Sequence, residues 1–359
     1  MPVDDFFDHM KHGMLYMQGE LADVDLSEQK LEDLTVLETN FTRAKFNKST
    51  LKRMTFLKCN FSECEFDEAE FHTCQFFQCN LQGASLQRIH FERSTLVDSD
   101  AKQASFHEAR ISFSSFMKAS FEEADCAEAS IEKSVFMECA FAGVDLSKAV
   151  LRNVCLIGAD LRSAAIDGLD CDTFMLMEAD LSERDLRSLR LARANLMKTS
   201  FAGANLAGLD LAGSVFKEAN LQRADLSGAN APMALFAGAD LTGAKLRGAE
   251  LSMANFEEAN LQAADFGGAN LQMAMLNRTK AGAARFDKAN LSLAQLAYAD
   301  LRGAVVSGAR FSQTDLHSAV IEGLLTDGAS GTTLPTDTAR AVAELYDPRR
   351  LGPAMQGSE

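Results

Sequence analysis

The sequence predicts an all-β solenoid, and three observations carry that prediction. Reading every fifth residue from Leu21 to Ile321 gives 61 positions without an insertion, and 56 of them are Leu, Phe, Ile or Val. Two residues before each of these centres, 52 of 61 positions are Ala, Ser, Thr, Cys, Val or Gly, so small and large side chains alternate inward. Two residues after the centre glycine recurs, as at Gly83, Gly143, Gly203 and Gly208, where a chain that turns every few residues needs positive φ.

A period of five excludes both standard elements. An α-helix would scatter successive centres about 140° apart and form no apolar stripe. A straight strand alternates with period 2, so an odd repeat would send successive centres to opposite faces. What remains is a chain that bends every five residues around a narrow interior. The five exceptions at the central position, Ala101, Cys126, Cys171, Ala231 and Ala281, are small and still compatible with an interior.

The unit, seen in Ala204-Asn205-Leu206-Ala207-Gly208, resembles that of the pentapeptide-repeat proteins, and the resemblance covers residues 21–321. It implies a right-handed quadrilateral β-helix with four pentads per coil. That gives about 15 coils and a rod about 70 Å long at one ladder step per coil. Each coil then advances twenty residues, placing Phe41 under Phe61, Phe46 under Phe66 and Phe56 under Phe76. Burying a large apolar side chain contributes about 1.5 to 3 kcal/mol, so these ladders need no metal or disulfide to support them.

The ends read differently from the rod. Residues 1–20 are expected to form an N-terminal helical cap, with Phe6, Phe7, Met10, Met14 and Met17 on an amphipathic helix that stops by Gly19. Residues 322–359 are expected to hold a Gly/Ser/Thr-rich linker and a short C-terminal helix opening at Thr336, with Ala339, Val342, Leu345 and Tyr346 on one face, then a disordered tail. That helix is either a cap or a homodimer contact. Within the rod, Leu169, Phe174, Arg184 and Leu189 violate the small position, which predicts a kink or swollen coil near residues 166–191.

Composition limits function. The chain has 359 residues, 47% hydrophobic, with 51 acidic and 35 basic side chains and a net charge of -16. That balance argues against direct nucleic-acid binding. No apolar run approaches the length of a membrane span, and the start lacks the pattern of a secretory signal, so a cytoplasmic location is expected, with signal-peptide-independent secretion as an alternative. Residues 1–40 carry 10 acids against 2 bases, residues 41–193 carry 24 against 19, and residues 194–321 carry 11 against 11. With four faces, the densest acidic edge comprises Glu63, Glu65, Asp67, Glu68, Glu122, Glu123, Asp125 and Glu128, the candidate partner-binding residues.

No catalytic constellation is apparent. Cys59, Cys64, Cys74 and Cys79 are spaced by 5, 10 and 5, unlike the close pairs of a zinc site, and they occupy the small inward position. The His9/His12 pair lacks further ligands. No cofactor, metal or catalytic residue is therefore expected, and the favoured function is a non-enzymatic protein–protein interaction scaffold. The family resemblance implies two alternatives. One is an acidic mimic of duplex DNA that binds and protects a type II topoisomerase such as gyrase, and the other is an effector or accessory protein of a bacterial secretion system such as type VI.

Overall fold

The computed structural model describes residues 2–334 and 336–338. They form a parallel β-solenoid of about 16 turns. The ladders pair residues twenty apart, as Leu31 with Leu51 and Val36 with Phe56, until the last one shifts by a residue and pairs Thr314 with Thr333. Two of the four sides are true sheets over the first half of the rod. One has nine strands, from Tyr16–Met17 to Met175–Met177, and the other has eight, from Lys30–Glu32 to Asp170–Asp172. The other two sides are joined by single-residue bridges such as Asn40 with Asn60 and Lys45 with Glu65.

Beyond Met177 the sides pass to single bridges, reaching Val305 with Leu325, before one short ladder closes the described end. The outward residue after each centre on the nine-stranded side changes one coil later. It is Leu, Phe, Val, Ile or Met from Leu37 to Met197, then Lys217, Ala237, Glu257 and Asn277. In the second half each pentad closes on a tight turn. Ala204 donates its N–H to the Phe201 carbonyl at 2.9 Å, across Gly203 with φ 67°. The left-handed position is not reserved for glycine, since Lys48 and Glu68 occupy it at φ 57° and 61°.

The core is built from the predicted ladders. Phe41 stacks on Phe61 with ring centroids 4.9 Å apart, Phe46 on Phe66 at 4.7 Å, and Phe56 on Phe76 at 5.0 Å. All eight cysteines are buried and free, and Cys59, Cys64, Cys74 and Cys79 lie in the small inward column. Phe6 closes the N-terminal end of this core, edge-on to Tyr16 at 5.1 Å and to Phe41 at 6.1 Å.

Two features differ from the sequence reading. The N-terminal helix spans Pro2–His12 and ends before Met14 and Met17, because Gly13 adopts φ 62° and Met14 donates back to the His9 carbonyl at 2.9 Å. Met14 and Met17 are consequently exposed. At the other end the expected linker continues the solenoid, with Val305 bridged to Leu325 and strand Ser330–Leu334 paired to Arg310–Asp315. The proposed C-terminal helix, the homodimer contact assigned to it and the tail lie outside the described residues, except 336–338.

The irregularity near residues 166–191 is local. Leu169, Leu189 and Leu209 fill the small column on three successive coils, and all three are buried. Beside them the ladder opens, and Arg190 takes part in no bridge among the described residues. Bulk at positions that elsewhere hold Ala separates the neighbouring backbone and leaves a surface cavity of about 440 Å³ beside Arg152, Asp170, Arg190 and Asp210. The register survives this opening, with Met175 bridged to Asn195 and Asp180 to Ser200.

Candidate functional surfaces

The solenoid sorts surface residues into columns in which neighbours are twenty residues apart. It places Glu63 with Glu123, Glu65 with Asp125 and Glu68 with Glu128 in shared columns, three coils or roughly 14 Å apart. The eight acidic residues therefore form two groups along two adjacent sides. Cations and polar donors from adjacent coils intervene. Lys45 lies 3.5 Å from Glu65, Arg88 3.5 Å from Glu68, Lys102 3.3 Å from Glu122 and Lys148 2.9 Å from Glu128.

Polar side chains occupy more of these carboxylates. Gln103 donates to Glu123 at 2.7 Å and Ser85 to Asp67 at 2.5 Å, while Asp125 accepts the Ala127 N–H at 2.9 Å. The Lys148 ammonium holds the Glu128 carboxyl below its usual range. One column runs Glu28, Lys48, Glu68, Arg88, Glu108, Glu128, Lys148, four acids and three bases whose mixing compensates much of the charge along it. These exposed pairs each contribute little to stability and are screened by salt.

A different surface stands out once columns are read. On the nine-stranded side, every twentieth residue from Leu37 through Phe77, Met117 and Ile157 to Met197 is apolar and points outward. In-register pairing aligns them, as Leu57 with Phe77, Met117 with Met137 and Ile157 with Met177. The parallel column beside it, from Thr35 to Asn195, contains no charged residue. Met117 and Met137 are each 37% exposed at its centre. The eight-stranded side shows the contrast, presenting Lys30, Glu32, Lys52, Glu70, Arg110, Arg152, Asp170 and Asp172.

At the corner of the uncharged side, exposed Phe113 lies between two cations, 5.8 Å from the Arg93 guanidinium and 4.9 Å from the Lys133 ammonium. This flat, apolar, sheet-borne surface is a candidate contact for another protein. A reading at period five does not reveal it, because its signal has period twenty. Among the described residues, no group of three or more His, Cys, Asp or Glu is arranged to hold a metal ion, and no helix is long and apolar enough to cross a membrane.

Segments between residue 49 and residue 323, interrupted only at 167–174 and 231–233, match the family model described as Pentapeptide repeats, the first being 49–83 and the last 294–323. The chain belongs to the pentapeptide-repeat family.

No curated protein matches it. Among solved structures, it is similar to the pentapeptide-repeat protein Rfr23 from the cyanobacterium Cyanothece 51142, at 28% identity over 26% of this chain and 64% of that one, with a TM-score of 0.25. HetL from Nostoc sp. strain PCC 7120, a pentapeptide-repeat protein involved in heterocyst differentiation regulation, is 24% identical over 79% of this chain and 96% of its own, with a TM-score of 0.23. QnrB1, a plasmid-mediated fluoroquinolone resistance protein, is 17% identical over 56% of this chain and 90% of its own, with a TM-score of 0.35. Such low superposition scores assign no partner.

Proposed function

We propose that this pentapeptide-repeat rod is a non-enzymatic scaffold that docks another protein on its uncharged side, centred on Met117 and Met137. The observation that carries this reading is the unbroken apolar column from Leu37 to Met197 on a chain with a net charge of -16. A rigid surface of nine coils whose two central columns carry no charge is roughly 40 Å long, a length suited to an elongated protein contact. Methionine adapts its shape to a partner at little cost.

The test is capture of a partner from the host, followed by comparison of the native protein with a Met117→Glu/Met137→Glu variant and a Glu63→Lys/Glu68→Lys variant. The reading expects the first pair of substitutions to abolish the complex and the second to leave it intact. A complex indifferent to Met117 and Met137 rules the surface out.

A second reading, a DNA mimic that protects a topoisomerase, is favoured by the excess of 10 acids over 2 bases in residues 1–40. The compensated carboxylates of the Glu63–Glu128 edge weigh against it. An unchanged gyrase supercoiling assay, with and without drug, would remove it.

A further inference from the structure

Beyond Met197 the outward apolar residues shift to the neighbouring corner, where Met233, Met253, Met273 and Leu293 form a ridge. They are 56%, 50%, 46% and 41% exposed. Beside them one column of the same side carries Val215, Leu235, Asn255, Met275 and Gln295 without a charge, and the next column holds Lys217 and Glu257, the latter paired with Arg278 of its own chain. We propose that this ridge pairs with the same ridge on a second copy of the chain, antiparallel and related by a two-fold axis between Met253 and Met273.

Charge selects the occupant. Residues 1–193 carry a net charge of -13, from 10 - 2 and 24 - 19, whereas residues 194–321 are balanced at 11 against 11. Two copies that overlap antiparallel through the second half meet without net repulsion and hold their acidic halves at opposite ends. A parallel pairing would set the ridge against the opposite corner column, which holds Glu218, Glu258 and Arg278.

Side-chain complementarity selects the register. With the axis between Met253 and Met273, these two face each other across the interface and Met233 faces Leu293, so all four ridge residues find apolar partners. Along the other edge of the same side, Glu258 then faces Arg278, and Gly238 leaves room for Tyr298. A shift of half a coil either way places Glu258 on Glu258 or Arg278 on Arg278. Glu258 has no ion-pair partner among the described residues, while Arg278 lies 3.6 Å from Glu257 and over the Tyr298 ring at 5.6 Å. The overlap covers roughly 300 Å² per copy, well below the standard of about 800 Å², so the dimer is weak and depends on concentration.

This pairing uses coils beyond Met197 and stands or falls separately from docking at Met117 and Met137. The test is sedimentation equilibrium of the full chain over about 1 to 500 µM, a range that spans weak association. The expected result is a monomer–dimer equilibrium, weakened about tenfold or more by Glu258→Lys or Arg278→Glu alone and restored by the double exchange. As a check on register, Met253→Cys and Met273→Cys chains mixed together form an interchain cross-link that neither forms alone, and circular dichroism confirms that each variant is folded. A monomer at every concentration overturns the proposal. So does a dimer unaffected by Met253→Lys, or one that the double exchange fails to restore.

Discussion

Phe116 and Phe136, one coil apart, stack with ring centroids 4.4 Å apart and planes 6° from parallel. Phe121 packs against both, edge-on at 5.5 Å and 5.7 Å. This cluster joins two sides of the rod in its first half. Phe136→Ala would leave a cavity between coils and should cost about 3 to 5 kcal/mol. In a solenoid each coil contacts only its neighbours, so the loss should be local. Hydrogen exchange should accelerate around residues 116–156 and remain slow around Phe236 and Phe256; uniform acceleration would mean that the whole rod unfolds as one unit.

Cys126 stands in a central column between Phe106 and Leu146 and borders an apolar void of about 20 Å³. Cys126→Leu restores the large side chain that most coils carry there and should stabilise the protein by about 1 kcal/mol, read as a higher melting temperature. A lower melting temperature would show that the neighbouring rings have already closed over the site.

The same burial makes the thiols inert. Desolvation pushes Cys126 and Cys64 up to about 12 and Cys74 up to about 11. The thiolate is the reactive form, so a thiol reagent at pH 8 should label none of these three in the native protein and all of them in denaturant. Rapid native labelling would show that these coils open readily.

Much of the core was legible because a narrow interior selects by volume at every fifth position. The interior ladders from Phe41 to Phe286 follow directly from that rule. Positions whose role depends on backbone or neighbouring coils were less legible. Gly13 ends the helix ahead of Met14 and Met17, and hydrogen bonds to the preceding coil draw residues 322–334 into the solenoid although their side chains no longer follow the pentad consensus. The opening beside Arg190 needs Leu169, Leu189 and Leu209 to be seen as one stack. The apolar column through Met117 likewise emerges only when residues twenty apart are read as neighbours, whereas the acidic edge was visible as local composition and its compensating Lys102, Arg88 and Lys148 were not.

The left-handed corners give a paired test of opposite sign. At Gly208, φ is 70° and an added Cβ meets nothing within 4 Å, so Gly208→Ala isolates the backbone term. It should destabilise by about 1 kcal/mol. At Arg223, φ is 57° on a side chain without an ion pair among the described residues. Arg223→Gly relieves the same strain and should be neutral or stabilising in denaturant titrations. Equal losses at both positions would show that side-chain packing, rather than φ, governs the corners.

Asp170 gives a prediction for acid at the opening of the ladder. Its carboxylate accepts from the Arg152 guanidinium, and Arg190 lies 3.9 Å away, so the carboxyl is held below its ordinary range, the Arg152 hydrogen bond being the larger cause. A group whose folded value is depressed contributes stability above its unfolded value and loses that contribution as pH falls through the folded value. The pair is solvent-exposed, so its contribution is small and salt-screened. Asp170→Asn should therefore lower the melting temperature slightly at pH 7, with the difference shrinking toward pH 2 and in high salt. A difference that persists unchanged at pH 2 would mean that Asp170 acts through packing beside Leu189 rather than through its charge.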